Sequence, residues 1–101
     1  MNKSELIQLL SSKQHNLSDS DVFTAVTQII KRMTDELAGG GRIEIRGFGA
    51  FSLKHRRAKL GRNPKTGVAV SVPQKHSVYF KPGTELRARV NASAPHYPIL
   101  D

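Results

Sequence analysis

The sequence predicts an α+β fold: two helices, then strands that include a long basic hairpin, then a short closing helix. Three observations carry this reading. Apolar residues recur at three- and four-residue spacing as far as Leu37, and after Gly39, Gly40 and Gly41 they switch to strict alternation. Residues 54–65 hold six Lys/Arg and no acid, with Leu60 as the only large apolar side chain, so this stretch contributes little to a core. The turn residues Gly61, Asn63, Pro64 and Gly67 then lead into an alternating return of Val68, Val70 and Val72.

The elements follow in order. Asn2 with Glu5 predicts an N-cap and its capping-box partner, and Leu6, Ile7, Leu9 and Leu10 supply the apolar face of a first helix. Asn16 marks a break, and Ser18 with Asp21 starts a second helix. Its stripe is Val22, Val26, Ile29, Ile30, Met33 and Leu37, widened by Phe23, and is read as core or dimer interface. The helical base spans 1–40. Residues 42–46 alternate, with Ile43 and Ile45 on one face and Arg42, Glu44 and Arg46 on the other. Gly47-Phe48-Gly49 is a tight turn, and Phe51 and Leu53 continue a second strand. The sheet and arm span 42–80, with the hairpin tip near Pro64. Val78, Tyr79 and Phe80 return the chain to the core, where Phe48, Phe51 and Phe80 are expected to pack. After the Lys81–Thr84 turn a short helix is expected over 84–91. Residues 92–101, with Pro95 and Pro98, read as a disordered tail.

Charge is divided along the chain. The net +8 combines −1 over residues 1–41, +10 over 42–91 and −1 from Asp101. One half reads as an ordinary scaffold, and the other as the footprint of a polyanion-binding surface. The absence of cysteine excludes disulfides and thiolate metal sites. His15, His55, His76 and His96 lack metal-ligand spacing, so neither metal nor cofactor is expected. No apolar run suits a bilayer, the N-terminus is polar, and a cytoplasmic location is the expectation.

Several motifs combine into a resemblance. Gly61-Arg62-Asn63-Pro64-Lys65-Thr66-Gly67, with Gly47-Phe48-Gly49 before it and Phe80-Lys81-Pro82-Gly83 after it, resembles the HU/integration host factor family. The segment 42–49 is most similar to the beta subunit of integration host factor, and the resemblance covers 1–91 as a single domain. It implies an intertwined dimer whose helices form a base beneath a three-stranded antiparallel sheet, with paired arms around the duplex. The partner implied is double-stranded DNA, together with an integration host factor alpha-type subunit. The role implied is nucleoid-associated DNA bending that supports recombination, replication and transcription. This family is itself a standard example of β-ribbon readers and minor-groove benders, so that behaviour comes with the resemblance.

The site residues divide by chemistry. A proline at a hairpin tip ordinarily serves the turn. Pro64 also stands between Arg62, Asn63 and Lys65 at the end of a basic arm, and the resemblance implies that it enters between base pairs as an apolar wedge. Arg42, Glu44 and Arg46 are read either as a strand face with cross-strand ion pairs or as a minor-groove reader in which Glu44 holds Arg46. Arg62 and Asn63 join them as candidate base readers. Lys54, Arg56, Arg57, Lys59 and Lys65 are expected to neutralise phosphates. Lys3, Lys81, Arg87 and Arg89 are weaker candidates on the body, and Ser4 adds an amide at the first helix N-terminus. Two positions depart from the family pattern. Lys59 stands where a proline is common, and Ser77–Tyr79 replaces a proline-containing stretch, so the arm is expected to bend or pair differently.

Other function classes fit less well. A nuclease needs paired carboxylates, and the basic half has only Glu44 and Glu85, on separate elements. An RNA-binding or ribosomal role lacks exposed stacking aromatics on a sheet. The rival within the same class is a non-specific, homodimeric HU-like protein.

Overall fold

The structure is a computed structural model and describes residues 1–97. Helix α1 (Lys3–Lys13) starts at Asn2, whose side chain accepts from the Glu5 amide at 2.9 Å. After Lys13 the Gln14 side chain closes the link, accepting from the amides of Asn16 and Leu17. Helix α2 (Asp19–Ala38) starts at Ser18, whose hydroxyl accepts from the Asp21 amide at 3.1 Å. Gly39 ends it, donating back to the Asp35 carbonyl.

Strands β1 (Ile43–Ile45), β2 (Gly49–Arg56) and β5 (Lys75–Pro82) form an antiparallel sheet in the order β1-β2-β5. Strands β3 (Lys59–Arg62) and β4 (Ala69–Val72) form a separate ribbon further along the same hairpin. The arm is therefore a hairpin with one interruption. Pairing runs unbroken from Gly49↔Pro82 to Arg56↔Lys75, lapses at Arg57-Ala58 and Pro73-Gln74, and resumes at Lys59↔Val72. Pro73 has no amide hydrogen to give a ladder, which suits a gap at that level.

Helix α3 runs Thr84–Ser93, two residues beyond the expected 84–91. Ala92 and Ser93 belong to it, and the amides of His96 and Tyr97 both donate to the Ser93 carbonyl. The expected disordered tail thus does not begin at Ala92, because Val90 to Ala94 still close helical hydrogen bonds. Its remainder, 98–101, lies outside the described residues.

Alternation divides the sheet into two faces. Ile43, Phe51, Leu53, Val78 and Phe80 share the inner face, where the Phe80 ring lies 4.8 Å from Phe51 and 5.2 Å from Phe48. Glu44, Ala50, Ser52, Lys54 and Arg56 share the outer face with Lys75, Ser77, Tyr79 and Lys81. Gly49 is required at the β1–β2 corner. A Cβ there would lie 2.6 Å from the Lys81 carbonyl oxygen and 2.7 Å from the Phe80 ring, so backbone and core would both have to move. Gly49→Ala is expected to cost about 3 kcal/mol, the upper range for overpacking. Thermal denaturation should place its midpoint about 10 °C or more below wild type.

The core within one chain is small. Among the described residues only Val22 and Val26 are buried, while Phe23, Ile29 and Ile30 of the same helix are exposed, so the α2 stripe faces outward as well as inward. The radius of gyration is 19.0 Å, against about 13 Å for a compact chain of this length. A chain this extended, with so little interior, gains its stability from association.

Candidate nucleic-acid interface

The structure brings the basic residues together in three places. The first is a cleft of about 700 Å³ at the end of the sheet, lined by Arg42, Glu44, Arg46, Lys81 and Arg87 together with Gly83 and Thr84 at the start of α3. Four cations and a helix N-terminus converge there against one carboxylate, which makes the cleft a field suited to an anion.

Glu44 does not hold Arg46. Among the described residues the single ion pair is Lys31–Asp35, at 2.9 Å on α2. Strand β1 ends at Ile45, so Arg46 stands in the following turn and not on the expected strand face with Glu44, and both residues line the cleft without pairing. Nor does Glu44 form a cross-strand pair, because the residue opposite is Ala50.

The second cluster is the arm. His55, Arg56, Arg57, Lys59 and Lys75 line a groove of about 610 Å³ beside the gap between the two ribbons. Along the outer face the row Lys54, Arg56, Lys75 and Lys81 is continuous with the cleft. Lys75 was absent from the site expected from sequence. The period-two row Lys75, Ser77, Tyr79 and Lys81 puts these four on one strand face, and the β2–β5 register makes it the face of Lys54 and Arg56.

The third is the tip. Asn63 donates its amide to the Val68 carbonyl at 2.9 Å, and Gly67 returns its amide to the Asn63 carbonyl at 2.7 Å. The Asn63 side chain accepts from the Lys65 amide at 2.9 Å, and the Arg62 guanidinium donates to the Gly67 carbonyl at 3.2 Å. Gly67 has φ +73, the left-handed conformation that glycine adopts without strain. Pro64 stands exposed within this tied loop, and its missing amide hydrogen costs the turn nothing. In the free protein, Arg62 and Asn63 are thus engaged in holding the tip. Leu60, at 79% exposure, is the most exposed large apolar side chain on the arm besides Pro64, ahead of Val68 and Val70.

Lys3 and Ser4 lie apart from these clusters, in a hollow shared with Asn2, Ile7, Gln8 and Phe23. Lys3 Nζ is 5.3 Å from the Phe23 ring centre, and the Ser4 hydroxyl donates to the Asn2 side chain at 2.8 Å. Arg89 is exposed on α3 and does not line the cleft. Among the described residues no group of three His, Asp or Glu side chains could hold a metal ion, and no helix is long and apolar enough to cross a membrane.

The same architecture is found in known proteins. The profile of the family described as "Bacterial DNA-binding protein" matches residues 1–91. The chain is 60% identical over 93 residues to the integration host factor subunit beta of Marinobacter nauticus, which covers 92% of this chain and 95% of that one. It is 54% identical over 99 residues to that of Halorhodospira halophila, covering 98% and 97%. Among solved structures, HU of Anabaena cocrystallised with DNA superposes with a TM-score of 0.80 at 27% identity, covering 89% of this chain and 97% of that one. A family match across helices, sheet, arm and α3, joined by relatives above half identity over nearly the whole chain, makes this protein a member of the bacterial DNA-binding family of HU and integration host factor.

Proposed function

We propose that this chain is the beta-type subunit of an architectural DNA-bending dimer. In this reading the outer sheet face and cleft bind the duplex body. The arm follows the minor groove, and Pro64 enters a base step and kinks it. The observation that carries the reading is the exposed Pro64 in a hydrogen-bonded tip, at the end of an arm whose cationic row continues onto the sheet. Phosphate neutralisation supplies affinity without reading sequence. Arg42 and Arg46 in the cleft supply what base or shape preference there is, through minor-groove acceptors and groove width. Lys81 and Arg87 grip phosphates beside them, with Lys3 and Ser4 at the start of α1 as a further contact. Dimerisation is supported by the uncovered Phe23, Ile29 and Ile30, and an alpha-type partner by the beta-subunit relatives. The location that goes with this role is the bacterial nucleoid, in the cytoplasm, and no catalytic step belongs to it.

End-to-end energy transfer on a short doubly labelled duplex tests the reading. Titrated with an alpha-type subunit, the protein should bring the ends together, and raising the salt should weaken binding steeply. Binding with the ends left apart would make the protein a basic coating protein. Equal bending of scrambled duplexes by the chain alone would favour the homodimeric HU-like reading.

A further inference from the structure

Two cations of the outer face are held by β5, and both are held diagonally. Lys54 stands directly opposite Ser77, yet its Nζ lies 3.8 Å from the ring centre of Tyr79, the residue opposite Ser52. Arg56 stands directly opposite Lys75, yet its Nε donates to Ser77 Oγ at 3.1 Å. Each side chain therefore leans toward the body, away from the tip.

Electrostatics explains the lean. A like charge directly across a strand pair is unfavourable, so Arg56 turns from Lys75 to the serine hydroxyl. With Arg56 and Lys75 on its outward side, Lys54 turns to the electron-rich face of Tyr79. Diagonal neighbours are within reach of long and aromatic side chains, and Ser52 beside the ring leaves room for the approach.

We infer that Tyr79 and Ser77 are positioning residues that hold Lys54 and Arg56 over the outer sheet face before DNA arrives. The inference rests on the DNA-binding reading above. A flexible cation must lose rotamer freedom to meet a phosphate, and prior restriction of one such side chain corresponds to about 2- to 12-fold in affinity. An ammonium over a ring face keeps N–H groups free for a phosphate oxygen.

A double-mutant cycle tests this. The intact dimer is titrated on a short duplex across a salt series, using wild type, Lys54→Ala, Tyr79→Leu, the double variant, Tyr79→Phe and Ser77→Ala. Tyr79→Leu should weaken binding about 5-fold with the salt slope unchanged, because no phosphate contact is lost. Lys54→Ala should lower the slope by about one, and adding Tyr79→Leu to it should cost nothing more. Tyr79→Phe should bind as wild type, and Ser77→Ala should weaken binding about 2-fold. In the free protein the Lys54 ε-methylene protons should be shifted upfield by the ring in wild type and Tyr79→Phe, and not in Tyr79→Leu. Undiminished loss from Tyr79→Leu in the Lys54→Ala background, or unshifted Lys54 protons in wild type, overturns the inference and leaves the DNA-binding reading standing. Failure of wild type to bind duplex overturns both.

Discussion

Pro64→Ala is expected to leave the protein bound to DNA while the bend opens. The tip should survive the change, since its ties come from Asn63, Lys65, Gly67 and Arg62, and none uses Pro64. Relief of the proline constraint in the unfolded chain costs only about 0.4–1 kcal/mol of stability. What is lost is the wedge. Smooth bending of a site of about 20–30 base pairs through 40–90° costs of order 1–6 kcal/mol, and a kink concentrates that deformation at one step. Without it, energy transfer between duplex ends should fall markedly, and affinity for intact duplex should fall about tenfold. A duplex already made flexible by a mismatch at the kink should recover most of the difference. If the variant bends intact duplex as sharply as wild type, Pro64 is only a turn residue, and Leu60 is the next apolar side chain to test.

Neutralising the arm should have the larger effect on affinity. Replacing Arg56, Arg57, Lys59 and Lys65 with glutamine removes four exposed cations from the arm without touching the core. Each neutralised phosphate contributes about 0.9 to the slope of log affinity against log salt. If all four meet phosphates, the slope should fall by between three and four. At ~0.1 M salt that corresponds to about three orders of magnitude in affinity. The control is Lys31→Gln with Arg32→Gln on α2, where Lys31 is paired with Asp35. Losing those charges should change the slope little. Equal losses from both sets would mean that net charge, and not the arm, governs binding.

Much of this molecule is local and could be read residue by residue. Asn2 and Ser18 cap their helices as the sequence predicts, because an Asx or Ser side chain satisfies amides three residues on, whatever the tertiary context. The tip at Pro64 and the period-two strands are equally local, since turn chemistry and alternation depend on near neighbours. The Glu44–Arg46 pair does not form because β1 ends at Ile45 and Arg46 belongs to the turn, a strand end that alternation alone does not mark. The cross-strand alternative meets Ala50 opposite Glu44, which only the register reveals. Lys75 was missed because its relevance depends on register with Arg56, which no local pattern supplies. The C-terminal helix runs two residues past its expected end because Asn91, Ala92 and Ser93 carry no strong stop signal before Pro95.

The order and kind of elements, the concentration of charge in residues 42–91 and the proline at the tip are all legible along the chain. These follow from spacing, composition and backbone preference along the chain. Tertiary structure alone decided which cations share a face and that Arg42, Arg46, Lys81 and Arg87 meet in one cleft. It also decided that Lys54 and Arg56 lean on Tyr79 and Ser77, since those contacts arise where antiparallel strands bring residues more than twenty positions apart into register.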